Sequence, residues 1–401
     1  MTRREPNAAL RLLVTGVGLS VLGDFVAVFA LTLRLHDTGG SGLSVAALML
    51  AGTLPLVVLA PWTGLLVDRV ENARLIQVVS LLQCAVAVTL AFTSSRLGIL
   101  LLVTAMACGT AVVSPSLAAL TPVVARGEVM RANGLTETAF SVGAMLGPVL
   151  GGVLSGTVGT RGALLLDAVT FVVVAMTTAL TRAVRRPSGD AGGPKPRARD
   201  GLVAIRRDPM LLVMAATMVP SLIVVAGSNV AEVFFVKDVL HASDTAFGIV
   251  AGSWMLGMVV GARAMGGRES TGDSALTSLY MLGVVGMGVL LGLASMSRTI
   301  VLVPVAFLAG GVLNGVCNVA RRTLLHRRVP EALRGRAFAA YGGLLNTALL
   351  VAYVGGGVAV NTLGARTTLL AGGFASAVIG AGGYLRAATL PASSPGSAAA
   401  S

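Results

Sequence analysis

The sequence predicts an all-α membrane protein of twelve transmembrane helices, arranged as two homologous six-helix bundles. Three observations predict it: the composition, the recurrence of apolar stretches of spanning length, and an internal repeat on either side of one polar linker. Of 401 residues, 55% are hydrophobic and 12% charged, whereas a soluble domain is near 25% charged. So little charge cannot cover the surfaces of soluble domains, which excludes a soluble globular enzyme and requires most of the surface to face lipid.

A helix needs about 20 mainly apolar residues to cross the hydrocarbon core. Stretches of that kind lie at 10–34, 43–67, 74–94, 97–124, 132–156 and 162–182, and again at 209–236, 244–265, 274–296, 299–320, 337–361 and 365–386. The first follows Arg11 without a small-residue cleavage site and is too long for a signal-peptide core, so it is expected to stay in place. After the sixth, residues 183–208 are rich in Pro, Gly and Arg and read as a linker. Its last part, DGLVAIRRDP, offers Asp200 as N-cap and sets Leu202 and Ile205 on one face, predicting a short amphipathic helix at the inner membrane surface. Pro209 is suited to open the seventh span. The tail, 389–401, is Ala, Ser, Pro and Gly from Pro391 onward, cannot bury a core and is expected to be disordered. The expected organisation is therefore 1–182, 183–208, 209–388 and 389–401.

Cytoplasmic loops of membrane proteins carry the excess of Lys and Arg. With the N-terminus inside, 24 of the 30 basic residues fall on the inner side, leaving Arg34, Arg96, Arg161, Lys237, Arg298 and Arg366 outside. Both termini are expected in the cytoplasm, and the net charge of +13 follows from topology without a nucleic-acid partner. Only Lys195 and Lys237 stand against 28 arginines, the usage of a GC-rich bacterial genome, so the expected location is a bacterial plasma membrane. Shifting the sequence by about 205 residues aligns VFALTLRLH (28–36) with VFFVKDVLH (233–241), and RGEVMRANG (126–134) aligns with PEALRGRAF (330–338). Paired repeats with a site between them are the plan of secondary transporters.

Two motifs sharpen this. The loop after the second span reads GLLVDRVENAR, placing Gly64, Leu66, Asp68, Arg69 and Arg74 at G-x-L-x-D-R-x-x-x-x-R spacing. The fifth span contains GAMLGPVLGG, in which Gly143, Gly147 and Gly151 share a helical face beside Pro148 and Gly152. Small residues four apart let another helix approach to backbone contact, and Pro148 frees a carbonyl and can bend the helix into a pivot. The chain resembles the major facilitator superfamily, and the fifth-span motif looks like the signature of its drug and metabolite exporters. The resemblance implies that Gly64 sits where helix 2 packs closely, and that Asp68, Arg69 and Arg74 form a conformational latch with the start of the eleventh span, where Arg334 and Arg336 lie. The second half, GARAMGGRESTGD, lacks the Asp-Arg pair, so only one good latch is expected. The fourth span carries no basic residue, unlike many proton-coupled drug exporters. That absence, Gly23-Asp24 and the GLVAIRRDP segment look most like the macrolide-efflux and siderophore-exporter branch.

Ionisable groups at membrane depth are expensive and are default functional candidates. Asp24 lies near mid-bilayer in the first span, one turn after Ser20, placed either to bind and release a proton or to make a structural hydrogen bond. Asn229 and Glu232 lie at the matching place in the seventh span, with Lys237 as a possible partner for Glu232. Asn314 and Asn318, at i and i+4, form a polar stripe suited to substrate hydrogen bonding or to holding two helices together. Glu137 is expected to pair with loop arginines, with a cavity role as the other reading, and Asp167 is expected to be structural. Trp62 and Trp254 fit cavity or packing roles equally. Cys84, Cys108 and Cys317 stand alone in apolar runs and read as small core residues; no metal cluster or cofactor site is indicated, and the ATP-binding G-x-x-x-x-G-K-[ST] loop is missing. The expectation is a monomeric secondary exporter of a small amphiphile, neutral or cationic, exchanged for protons across the lipid bilayer. A siderophore or lysophospholipid exporter is the nearest alternative, and a membrane enzyme or non-transporting sensor a more distant one.

Overall fold

A computed structural model describes residues 6–125, 128–181, 198–266 and 271–390, all of which are helix or short connection, without a strand. The helices in order are α1 (Pro6–Asp37), α2 (Gly42–Arg69), α3 (Asn72–Phe92), α4 (Arg96–Ala125), α5 (Val129–Thr157), α6 (Gly159–Thr181), α7 (Ala198–Arg207), α8 (Pro209–Phe234), α9 (Asp244–Ala264), α10 (Asp273–Met296), α11 (Leu302–Arg328), α12 (Glu331–Leu363) and α13 (Ala365–Ala388). All but α7 are long and apolar enough to cross a membrane, giving twelve candidate spans, with a π-helical turn, Phe235–Val239, prolonging α8.

Helix is the form such segments must take, because lipid offers no partner to an open backbone group. The hydroxyls obey the same rule: Thr32, Thr89, Thr104 and Thr138 each donate to the carbonyl four residues back. Large apolar side chains such as Phe92, Leu101, Phe374 and Leu385 are exposed, as expected of a surface that meets acyl chains.

Contacts divide the described chain into two compact units. One holds residues 1–40, 47–193 and 243–252; the other holds 41–46, 194–242 and 253–401. In the first unit α1 packs on α5 and α6, and α3 on α4 and α6; in the second α8 packs on α12 and α13, and α10 on α11 and α13. The two units therefore repeat one packing scheme, which is how the sequence repeat expresses itself in space. The division departs from the linker boundary at residues 41–46 and 243–252. Gly42 joins the second unit, where its N–H donates to Asn361 Oδ1 at 2.8 Å, and Gly248 joins the first, against Gly152 of α5.

Two differences from the expected boundaries bear on the site. Helix α7 begins at Ala198, so Asp200 lies inside it and not at its N-cap. Its apolar face is occupied by protein: Ile205 is 2% exposed in a cluster with Leu211, Leu324 and Tyr341, and Gly201 abuts the backbone of Arg336 in α12. Helix α11 runs to Arg328, eight residues past the expected end at 320, which brings Arg321 into the helix. Pro209 does open α8, capped by Asp208, whose Oδ1 accepts from the N–H groups of Met210 and Leu211. Most of the linker, 182–197, and the tail from 391 lie outside the described residues.

Candidate functional site

In the first unit the glycine face of α5 lies directly on α1. A methyl group at Gly143 would meet the Leu22 N–H and Val21; at Gly147, Phe25 and the Leu22 carbonyl; at Gly151, Phe29 and the Val26 carbonyl. These contacts bracket Asp24, so the helix carrying that carboxylate is held at backbone distance over three turns. Asp24 itself is half-buried and makes no hydrogen bond with a described residue. On the opposite side α6 brings Asp167 to the same level. Its Oδ1 lies against Gly23, its side chain has no exposure, and Oδ2 has no hydrogen-bond partner. The Thr170 hydroxyl donates to the Asp167 carbonyl at 2.7 Å and reaches Oδ1 at 3.4 Å. Two carboxylates from α1 and α6 thus share one apolar neighbourhood, close enough to interact electrostatically. Sequence reading sets Asp167 apart from Asp24; only the antiparallel packing of α1 on α6 aligns them.

In the second unit Glu232 of α8 is buried at 9% exposure, with Oε1 lacking a hydrogen-bond partner. It forms no ion pair with Lys237, contrary to the structural reading of that residue. Asn229, three residues earlier, is exposed, so the two do not share an environment.

The stripe on α11 is longer than the two asparagines. Asn318 Nδ2 donates to Asn314 Oδ1 at 2.8 Å, and Arg321 donates from a guanidinium nitrogen to Asn318 Oδ1 at 2.7 Å. Arg321 also reaches the Met218 sulfur at 3.8 Å and lies over the Tyr341 ring, 5.2 Å from its centroid. The Tyr341 hydroxyl donates to the same sulfur. This row faces a small recess of about 70 Å³ walled by Met218, Ser221, Tyr280, Met287, Cys317 and their neighbours. A larger recess of about 290 Å³, walled by Arg321, Arg322, Phe338 and Tyr341, shares Arg321 and Leu345 with it. Arg321 is the functional candidate that sequence reasoning missed: the span expected at 299–320 stops one residue short of it, although 314, 318 and 321 continue one helical face.

The remaining expected residues fall as follows. Gly64 meets no described atom within 4 Å of a notional methyl group, so the expected close packing of helix 2 at that point is not found. Arg74 pairs with Glu71 at 3.3 Å on the surface, and Arg334 donates to the Val329 carbonyl at the start of its own helix. Asp68 and Arg69 end α2 in the first unit, while Arg334 and Arg336 belong to the second. Glu137 is exposed and makes no ion pair with a described residue, against the expectation of a loop-arginine partner. Trp254 packs edge-on against Phe307, and Trp62 is 61% exposed. Cys317 is buried, and its thiol donates to the Tyr280 carbonyl, whereas Cys84 and Cys108 are only partly buried. Although the second half lacks an Asp-Arg loop pair, it has a charge cluster of its own. Arg328, 5% exposed, bridges Asp208 at 2.7 Å and Asp273 at 3.1 Å, and Arg327 reaches Asp273 at 3.3 Å.

The family model of the Major Facilitator Superfamily matches residues 13–268. An uncharacterized MFS-type transporter of Bacillus subtilis (strain 168), YfiS, is 24% identical over 382 residues, covering 92% of this chain and 91% of its own. Among solved structures, the nucleoside transporter NupG matches with a TM-score of 0.77 at 13% identity, over 96% of this chain and all of its own. A bacterial homologue of the iron transporter ferroportin, in an inward-facing state, matches at 0.72 and 16% identity, over 95% of this chain and all of its own. At such identities these structures establish the shared fold alone.

Proposed function

The chain belongs to the major facilitator superfamily, and from that premise we propose that this multi-pass transporter is a secondary active exporter in the bacterial plasma membrane. It moves a small amphiphilic molecule, an antibiotic or secondary metabolite, outward by alternating access in exchange for protons. The observation that carries the reading is the α5 glycine face seated on α1 around Asp24. A helix held at backbone distance at 143, 147 and 151 transmits any bend at Pro148 straight to the segment bearing the carboxylate. Movement and a change in the environment of Asp24 are thereby coupled, which is what antiport requires of a proton carrier. The export-type motif in α5 supplies the direction.

The test has two stages. A toxicity panel in a host stripped of its own exporters identifies a compound against which the protein protects. Efflux of that compound from loaded cells is then followed for the wild type, for Asp24→Asn, and for the wild type with its proton gradient collapsed. Both treatments are expected to reduce efflux to the level of cells lacking the protein. Undiminished efflux under both rejects the proton-coupled mechanism.

A further inference from the structure

The arginines at the end of α11 are treated in two different ways. Arg327 and Arg328 are each satisfied by carboxylates, Asp273 and Asp208. Among the described residues Arg321, two turns deeper in the helix and half-buried, meets only neutral groups: the Asn318 carbonyl oxygen, the Met218 sulfur and the Tyr341 ring. No described Asp or Glu lines either recess that Arg321 borders, while Arg322 adds a second positive charge to the larger one. A cation held at this depth without a counter-ion is costly, and proteins that accept the cost use the charge.

The neighbours are arranged to aim the guanidinium. Asn318 is fixed by donating to Asn314, so its carbonyl oxygen is turned toward Arg321, and the Tyr341 face supports the cation from one side. A planar guanidinium held in this way matches a carboxylate or similar oxyanion. The rest of the wall is apolar or soft, with Leu222, Val225, Val284, Met287, Phe338 and Leu345. Such a wall accepts a hydrocarbon or aromatic body and adapts to its shape.

We infer that the second unit holds an organic-anion site, in which Arg321, oriented by Asn318 and Tyr341, binds the carboxylate of a small amphiphile whose apolar body lies along Met287 and Leu345. The inference rests on the transporter reading and names the charge class of the cargo, replacing the neutral or cationic class expected from the sparse intramembrane carboxylates.

The site can be tested by binding alone, on the full chain purified in neutral detergent, with three probes of one shape: 1-naphthoate, 1-naphthamide and 1-naphthylmethylammonium. The expected result is binding of the naphthoate at least about tenfold tighter than of the amide, as a charge-assisted pair would give, with the ammonium weakest. Arg321→Gln should erase that preference, and Arg321→Lys should keep part of it. The melting temperature of each variant and the unchanged affinity of the amide show that the protein is folded. Equal affinities in the wild type, absence of naphthoate binding, or a preference that survives Arg321→Gln would overturn the inference. So would competition by phosphatidylglycerol that depends on Arg321, since the anion would then be a lipid headgroup and not a cargo. Because no transport is measured, failed efflux beside an intact naphthoate preference counts against export alone.

Discussion

Gly23 has no room for a side chain in the first unit. A methyl group there would stand 2.5 Å from Asp167 Oδ1 and 2.6 Å from Thr170 Oγ1, so one of two polar tips buried among apolar side chains would have to move. Helix propensity favours Ala over Gly by about 1 kcal/mol, whereas overpacking costs roughly 1–3 kcal/mol. The clash should win because Asp167 is fully buried, which leaves its carboxylate little space to yield. Gly23→Ala is expected to lower the melting temperature and to slow efflux, while Gly52→Ala, where nothing stands within 4 Å, should leave both unchanged or raise stability slightly. Equal effects at the two positions would remove Asp167 from the neighbourhood of Asp24. At this scale the sequence was only partly legible. Asp24 and the Asn314–Asn318 pair announce themselves as polar residues in apolar runs, but Asp167 becomes interesting only through its distance from Gly23. Arg321 was hidden by the basic cluster that follows it, because a span drawn by hydropathy stops at the first charge even where the helix continues.

Helices were legible because twelve apolar runs of spanning length leave the backbone no other satisfied form. What the sequence did not reveal is how the start of α8 is fastened. Asp208 spends one carboxylate oxygen on the N–H groups of Met210 and Leu211, and the other on Arg328, which in turn holds Asp273 at the start of α10. Three helix ends, α8, α10 and α11, therefore meet at one nearly buried guanidinium. Removing Asp208 takes away a helix cap worth about 1 kcal/mol and a charge-assisted hydrogen bond worth about 1.5–3 kcal/mol, together about 3 kcal/mol, while Arg328 keeps Asp273 as a partner. Asp208→Ala should thus destabilise the second unit by about that amount, in thermal melts followed by tryptophan fluorescence. Asp208→Asn, which can still cap α8, should recover about 1 kcal/mol of the loss. A melt unchanged by Asp208→Ala would show that the cluster contributes nothing to holding these ends together.

The repeat and the charge asymmetry belong to the whole chain. Two units that pair their helices in the same scheme, α1 with α5 and α6, α8 with α12 and α13, follow from one duplicated pattern of apolar faces and small residues. Each half of the sequence carries six candidate spans, an even number, so every loop of one kind is expected on one side of the membrane. We propose that charge decides which side that is, since 24 of the 30 basic residues fall on the side that would then be cytoplasmic, and short loops rich in Lys and Arg are retained there. The consequence can be measured with single cysteines in a background where Cys84, Cys108 and Cys317 are replaced by alanine. Cysteine at Ser94, between α3 and α4, or at Ser297, between α10 and α11, should react in intact cells with a membrane-impermeant maleimide. Cysteine at Arg69, at the end of α2, or at Glu331, at the start of α12, should react only after the cells are opened. The reversed pattern would invert the molecule. Arg321 would then lie toward the outer rather than the cytoplasmic end of α11, and an anion recognised there would be met from outside. Export, which requires the cargo to be taken up from the cytoplasm, would lose its entry site, so the topology measurement tests the direction of transport as well as the orientation of the chain.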